Sequence, residues 1–423
     1  MSARAGIVEH VTCLGCGCAC DDITIVARDG RIAEARNACA LGAAWFGDGS
    51  VPDEVRVHGA SASLDAALDA AAALLAGARR ALVHLATDVS CETQRAALGI
   101  ADILRGAADG PTTATAAGGV LAAQRRGRAG ATLGEIRNRA DLIVFWGVDP
   151  ARRYPRFPSR YAPEPPGVFV SGARAVAGVD VGDAVAPDGV EPRLRLDPGE
   201  ELDALAALRA ALAGRAIAAG ARALAERVAP LAERLRAARY AAVVYDGESA
   251  SGGGGGGDTR RAEGLIALVQ ELNAHTRAAL CALRAGGNRS GAEAVMTWQT
   301  GFPIAVEFSR GAPRYRPDEG AAAWLARGDV DALLVVGDPA ALASLPGADA
   351  PRVCIGPRAS TARPEAVVAI DTGVAGIHDG GMAFRMDDIP LPLRPSLPGP
   401  RDALGVVTAL AERVRRAAAG RPA

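Results

Sequence analysis

The chain has 423 residues, 49% of them hydrophobic, and a formal net charge of -1 at pH 7. Such a length predicts about three domains with sizeable cores. With near-neutral charge and only 4% aromatic residues, the chain offers neither a field for phosphate backbones nor faces for base stacking, so nucleic acid is excluded as a partner. No charged segment followed by an apolar one opens the sequence, and no run of roughly 18 uncharged apolar residues occurs, so a soluble cytoplasmic protein with no membrane contact is expected.

Residues 11 to 23, VTCLGCGCACDDI, carry four of the eight cysteines, and Cys39 follows in RNACALG. In a reducing cytosol such a cluster reads as metal-binding or catalytic, because disulfides do not persist there and cysteines one residue apart rarely meet disulfide geometry. Cys13, Cys16, Cys20 and Cys39 follow the spacing Cys-x2-Cys-x3-Cys-x18-Cys. Four thiolates suit a cubane iron–sulfur cluster or a tetrahedral zinc, and spacing leaves both open. Cys18 is surplus to a four-ligand site; Cys91, Cys281 and Cys354 fall in predicted helix or strand, as small buried hydrophobes. DDITIVARDGRIAEAR predicts a hairpin turning at Asp29-Gly30, so residues 1–55 form a small cysteine-bearing β segment.

Beyond it the texture changes. A helix is predicted over residues 63 to 78, starting after Ser63, then the short buried strand ALVHLAT and the helix CETQRAALGIADILRG. Further apolar runs are DLIVFWGVDP (141 to 150), GVFVSG (167 to 172), AAVVYDG (241 to 247), RAALCAL (277 to 283), DALLVVGDP (331 to 339) and PRVCIG (351 to 356). Runs of this length, bounded by Gly, Asp and Pro and separated by helical stretches, predict parallel sheets covered on both faces, an α/β fold with more than one sheet. The expected division is a first α/β half over 56–139, a second, Rossmann-like domain over 140–317, and a return to the first domain with a C-terminal helix over 318–423.

Two strands leave through the same residue types, at Gly147, Asp149 and Pro150 and at Gly337, Asp338 and Pro339. Ligands of open α/β sheets bind outside the carboxyl ends of strands, so the paired endings suggest two related halves facing a dinucleotide-like ligand; ordinary turn chemistry is the other reading. Six glycines at 252 to 257 precede no Gly-Lys-Ser/Thr and no spaced G-x-G-x-x-G, which predicts a surface loop. Every basic residue is arginine, which excludes a Schiff-base or P-loop lysine. His10, His58, His84, His275 and His378 are scattered and form no hydrolytic metal pair.

Taken in order, TCLGCGCACDDI, NACALG, TLGEIRNRADLIVFWGVDP, YPRFPSRY, LVQELN, MTWQTGFPIAVEFSRGAPRYRP, LLVVGDP and GGMAFRMDDIPLPLR resemble the B subunit of formylmethanofuran dehydrogenase, a molybdopterin-dependent oxidoreductase. The resemblance implies a multi-domain fold like domains I–III of formate dehydrogenase. It also implies a cytoplasmic complex whose B subunit holds a 4Fe-4S cluster beside a tungsten or molybdenum bis-pterin guanine dinucleotide, with one further metal ligand from a protein cysteine. On that pattern Cys13, Cys16, Cys20 and Cys39 fall on cluster positions, and the stretches ending in Pro150 and Pro339 line the pterin cleft.

The sequence departs from the pattern where the metal would sit. The family's Cys-His-Gly-Pro run is replaced here by a stretch with Thr115 and Ala116 in place of Cys and His, and no cysteine lies between Cys91 and Cys281. A threonine hydroxyl is a poor soft-metal ligand. After GVFVSG, taken as a strand, Ser171 stands where the family has an acid contacting the nucleotide. A chain that keeps the fold and loses the ligands resembles the B subunit of the formyltransferase/hydrolase complex of methylotrophs. The implied role is a redox-inactive structural subunit in tetrahydromethanopterin- and methanofuran-linked one-carbon metabolism, where formaldehyde is oxidised to formate. Its partners would be the A, C and D subunits and a methanofuran-type carrier; one 4Fe-4S cluster is expected and a molybdopterin or tungstopterin is not. The alternatives are an active dehydrogenase using Thr115, water or sulfide as the remaining ligand, and a zinc-stabilised interaction protein.

Overall fold

A computed structural model describes residues 6–248, 259–342, 345 and 349–419; the six-glycine run lies outside them. The chain forms two compact units, one from Met1–Thr112 with Gly286–Ala423 and one from Thr113–Ala285. These limits replace the expected boundaries at 139/140 and 317/318. The helices Ala114–Arg126 and Leu133–Arg139 belong to the inserted unit, whereas Arg289–Thr300 belongs to the outer one.

The outer unit begins with an antiparallel sheet of Gly6–Val11, Ile23–Arg28 and Arg31–Arg36. Its hairpin turns at Asp29 and Gly30, both with positive φ (50° and 73°), the conformation that an Asp-Gly pair favours. The main sheet has nine strands, of which the inner five run parallel in the order Ala107–Asp109, Ala81–Leu85, Ala332–Val336, Arg352–Gly356, Val368–Asp371. Leu334 sits between Val83 and Val353 in register. Every residue of Ala81–Leu85 and Ala332–Val336 is buried, as strands covered on both faces require. Helix Ala403–Ala419 packs on both Leu64–Gly77 and Cys91–Ile103, and Leu68, Leu98, Val407 and Leu410 join the core. Ser63 caps the first of these helices by accepting the Ala66 N–H, as the sequence predicts.

The inserted unit is a five-stranded parallel sheet, ordered Arg193–Leu196, Ala175–Val181, Leu142–Trp146, Tyr240–Asp246, Arg277–Leu283. Counted along the chain this is the order 3-2-1-4-5, the doubly wound arrangement. GVFVSG is not one of its strands. Residues 167–172 form a loop, and the strand is Ala175–Val181, which begins three residues beyond it. No helix of the described residues is long and apolar enough to cross a membrane.

Candidate functional site

The cysteine loop spans the gap between Gly6–Val11 and Ile23–Arg28. It is closed on itself where the Cys13 N–H donates to Cys20 O (2.9 Å) and the Ala19 N–H to Cys16 O (3.1 Å). The rest of the outer unit holds it from two sides: Gly287 N–H donates to Leu14 O (2.8 Å), Met386 N–H to Gly17 O (3.1 Å) and Thr12 Oγ1 to Pro392 O (2.9 Å). Cys39 follows the hairpin and precedes helix Ala40–Phe46. Cys13, Cys16, Cys18 and Cys20 are buried and Cys39 is half-buried.

Burial pushes the Cys13 thiol up to about 12; the Gly15 N–H, 3.4 Å from its sulfur, opposes this, and the charges of Cys16, Cys20 and Cys39 add to it. The charges of Cys16, Cys20 and Cys39 thus reach Cys13, and Cys18 is fully buried. Four thiolates are the donor set of a cubane cluster, and in kind these residues fit one. A tight ion cage is a different matter: among the described residues no three His, Cys, Asp or Glu side chains are grouped to hold a single metal ion. Cys91 lies in a helix, and Cys281 and Cys354 lie in strands, all three buried.

Each parallel sheet has a point where strand order reverses, and crevices at the carboxyl ends of strands open there. In the outer unit that point lies between Ala81–Leu85 and Ala332–Val336, and Gly337, Asp338 and Pro339 sit on it. In the inserted unit it lies between Leu142–Trp146 and Tyr240–Asp246, and Gly147, Asp149 and Pro150 sit on it. The two triplets belong to different units, and each has its own surroundings.

In the outer unit Asp88 occupies the crevice. It accepts the Asp338 N–H through both carboxylate oxygens (2.9 and 3.0 Å). Gly337 has φ +119°, and a Cβ there would lie 2.5 Å from both Ala86 Cβ and Asp88 Oδ1, so only glycine fits. Burial raises the Asp88 carboxyl to about 6; the Asp338 N–H opposes this and the Asp338 charge adds to it. Arg358 approaches Asp338 at 3.7 Å. The crevice thus holds the Asp88 and Asp338 carboxyls with the Arg358 guanidinium beside them.

In the inserted unit the crevice is lined with internal ion pairs. Arg153 pairs with Asp246. Glu201 takes the Trp146 Nε1–H (2.7 Å) and the Arg261 Nε–H (2.9 Å), and Arg284 donates to Glu248 (2.9 Å). Asp149 caps the short helix Pro150–Arg153 through the Ala151 N–H. Ser171 is elsewhere: it is exposed and precedes Ala175, the partner of Leu142, at the amino edge of the sheet. Its expected place in a nucleotide cleft rested on the misplaced strand. Asp88, Glu201 and Asp246, which the sequence reading missed, follow or face strand ends, and only the strand order reveals them.

Thr115 and Ala116 lie in the first turn of helix Ala114–Arg126. Thr113 caps that helix by accepting the Ala116 N–H (3.2 Å) and donates its hydroxyl to Glu248 (2.8 Å). Ala116 is buried. The position is an ordinary capped helix start with a methyl facing inward, and no thiol or imidazole is within it.

No family model matches the chain. It is 30% identical over 419 residues to the B subunit of the tungsten-containing formylmethanofuran dehydrogenase 2 of Methanocaldococcus jannaschii, covering 94% of this chain and 95% of that protein. The protein of the same name from Methanococcus maripaludis is 30% identical over 420 residues, with 94% and 96% covered. Among solved structures, a chain of the crystal structure of the formyltransferase/hydrolase complex from Methylorubrum extorquens, in complex with methylofuran, matches with TM-score 0.70 and 26% identity, covering 85% of this chain and 98% of that one.

Proposed function

Because the chain belongs to the family of formylmethanofuran dehydrogenase B subunits, we propose that it is the B subunit of a formyltransferase/hydrolase complex, retained as a redox-inactive structural component. The observation that carries this is the capped helix start at Thr113–Ala116, where, on the family resemblance, a hydroxyl and a methyl stand in place of sulfur and imidazole. Threonine oxygen is too hard and too weakly acidic a donor for a centre tuned to formate chemistry. The acid pair at Asp88 and Asp338 and the ion pairs beside Asp246 add to it, since both crevices are already furnished with internal partners.

In this reading the chemistry lies on other subunits of the complex, a methanofuran-type carrier holds the formyl group, and this chain docks its neighbours in the cytoplasm of a methylotroph. Cys13, Cys16, Cys20 and Cys39 would hold one 4Fe-4S cluster, which would cross-link the cysteine loop to the chain that leaves the hairpin. The chain's own contribution there is to enclose the thiols and fix the loop through the Leu14, Gly17 and Thr12 contacts. Purified complex assayed with formylmethanofuran tests the proposal: formyl transfer and release of formate without reduction of an electron-accepting dye is expected. Turnover-dependent dye reduction would refute it.

A further inference from the structure

Val168 and Phe169 are the two most exposed large apolar residues among the described ones, at 86% and 70%. They are adjacent, on the loop between helix Phe157–Tyr161 and strand Ala175–Val181 of the inserted unit. This loop is fastened to the end of helix Leu133–Arg139: Gly167 N–H donates to Arg137 O and Phe169 N–H to Asn138 O, both at 3.0 Å. Buried Arg174 completes the fastening, donating Nε–H to Ala140 O (2.8 Å), Nη1–H to Pro163 O (3.2 Å) and Nη2–H to the carbonyls of Ile136 and Arg137.

Two arginines of that helix end border the loop, Arg137 through its backbone. The Arg139 guanidinium lies 5.0 Å over the Phe169 ring, and Arg137 and Arg139 are exposed, with no ion pair among the described residues. Cations in a last helical turn ordinarily answer the orphan carbonyls there. Here Arg174 takes the Ile136 and Arg137 carbonyls and the Phe169 N–H that of Asn138, so the two surface arginines are not needed for those three.

We infer that this tip is a docking surface for another subunit of the complex, one that presents an apolar pocket to Phe169 with carboxylates at its rim to meet Arg137 and Arg139. A rigidly held aromatic beside arginine is the combination that concentrates binding energy, because little ordering remains to be done on association. The unpaired cations fix the sign of the partner's rim. The inference rests on the proposed function only in requiring that the chain have partner subunits.

Co-expression with the A, C and D subunits, followed by size-exclusion chromatography with light scattering, tests it. Wild-type chain should elute in the assembly; if it joins none, the proposed function fails before the surface is tested. Given assembly, Phe169→Asp should lower the assembled fraction at least tenfold, with the melting temperature of the chain unchanged, and Phe169→Tyr should restore it. The Arg137→Glu/Arg139→Glu pair should weaken association at least tenfold at low salt and flatten its salt dependence. Assembly of both variants like wild type would overturn the surface, as would a purified wild-type chain that dimerises through Phe169, which would make a second copy the occupant.

Discussion

Asp88 grips the backbone of Asp338 through both of its carboxylate oxygens, joining the two strands between which the order of the outer unit's sheet reverses. The contact fixes the crevice from the inside, with the Arg358 guanidinium beside the two acidic side chains.

Its pH dependence has a definite sign. The Asp88 pKa rises from 3.8 to about 6 on folding, so the folded chain binds the extra proton between those values, and stability is lost as pH rises through about 6. Asp88→Asn keeps an acceptor for the Asp338 N–H without the charge. The variant should be more stable than wild type at pH 8 by roughly 1–2 kcal/mol, the full linkage value being reduced for solvent screening. The difference should close by about pH 4, near the unfolded carboxyl value. Thermal melts at the two pH values measure it, and an unchanged gap would remove the carboxyl from this role.

His84 has the opposite sign. Burial within strand Ala81–Leu85 lowers its pKa, with Asp109 opposing, and its Nδ1 has no hydrogen-bond partner among the described residues. Asp109 is itself committed to the N–H groups of Gly110, Ala305 and Ala321. The unfolded chain therefore binds a proton near pH 6.5 that the folded chain refuses, and stability falls as pH drops below that value. His84→Leu should flatten this acid limb, by up to about 1.4 kcal/mol per pH unit. Denaturant midpoints at pH 7 and pH 5.5 show it.

Helix Ala114–Arg126 is governed by its cap. Thr113→Ala removes the acceptor for the Ala116 N–H and the bond to Glu248, which should cost about 1 kcal/mol. Thr115→Cys with Ala116→His places an imidazole on a buried methyl position and should destabilise by about 1–3 kcal/mol through overpacking. Calorimetry of the two variants checks both; neither should acquire tungsten or molybdenum.

The cysteines separate by position. Replacement of Cys13, Cys16, Cys20 or Cys39 by serine should lower iron per chain and the folded yield, whereas Cys18→Ser should leave the iron content at the wild-type level. Iron analysis with visible absorption distinguishes a retained cluster from zinc. Equal loss in all five would place Cys18 among the ligands.

How much of this was legible in the sequence follows physical lines. The buried strands LIVFW and ALLVV are continuous apolar runs that only a covered sheet accommodates, and the Asp29-Gly30 turn announces itself by residue type. The strand AVAGVDV was missed because small residues weaken its apolar signal; Gly178 within it has Val190 Cγ2 at 2.7 Å from where a Cβ would stand. The neighbouring VFV drew the assignment instead, although Val168 and Phe169 point to solvent. Asp88 and Asp246 gain meaning only from strand order, which is a long-range property. The hairpin between Cys20 and Cys39 was legible because its turn has the residue types that turn demands.

The most direct test of the account is elemental analysis of the native complex for tungsten and molybdenum. It predicts neither metal in stoichiometric amount with this chain, and one tungsten or molybdenum per chain, released together with pterin, would contradict it.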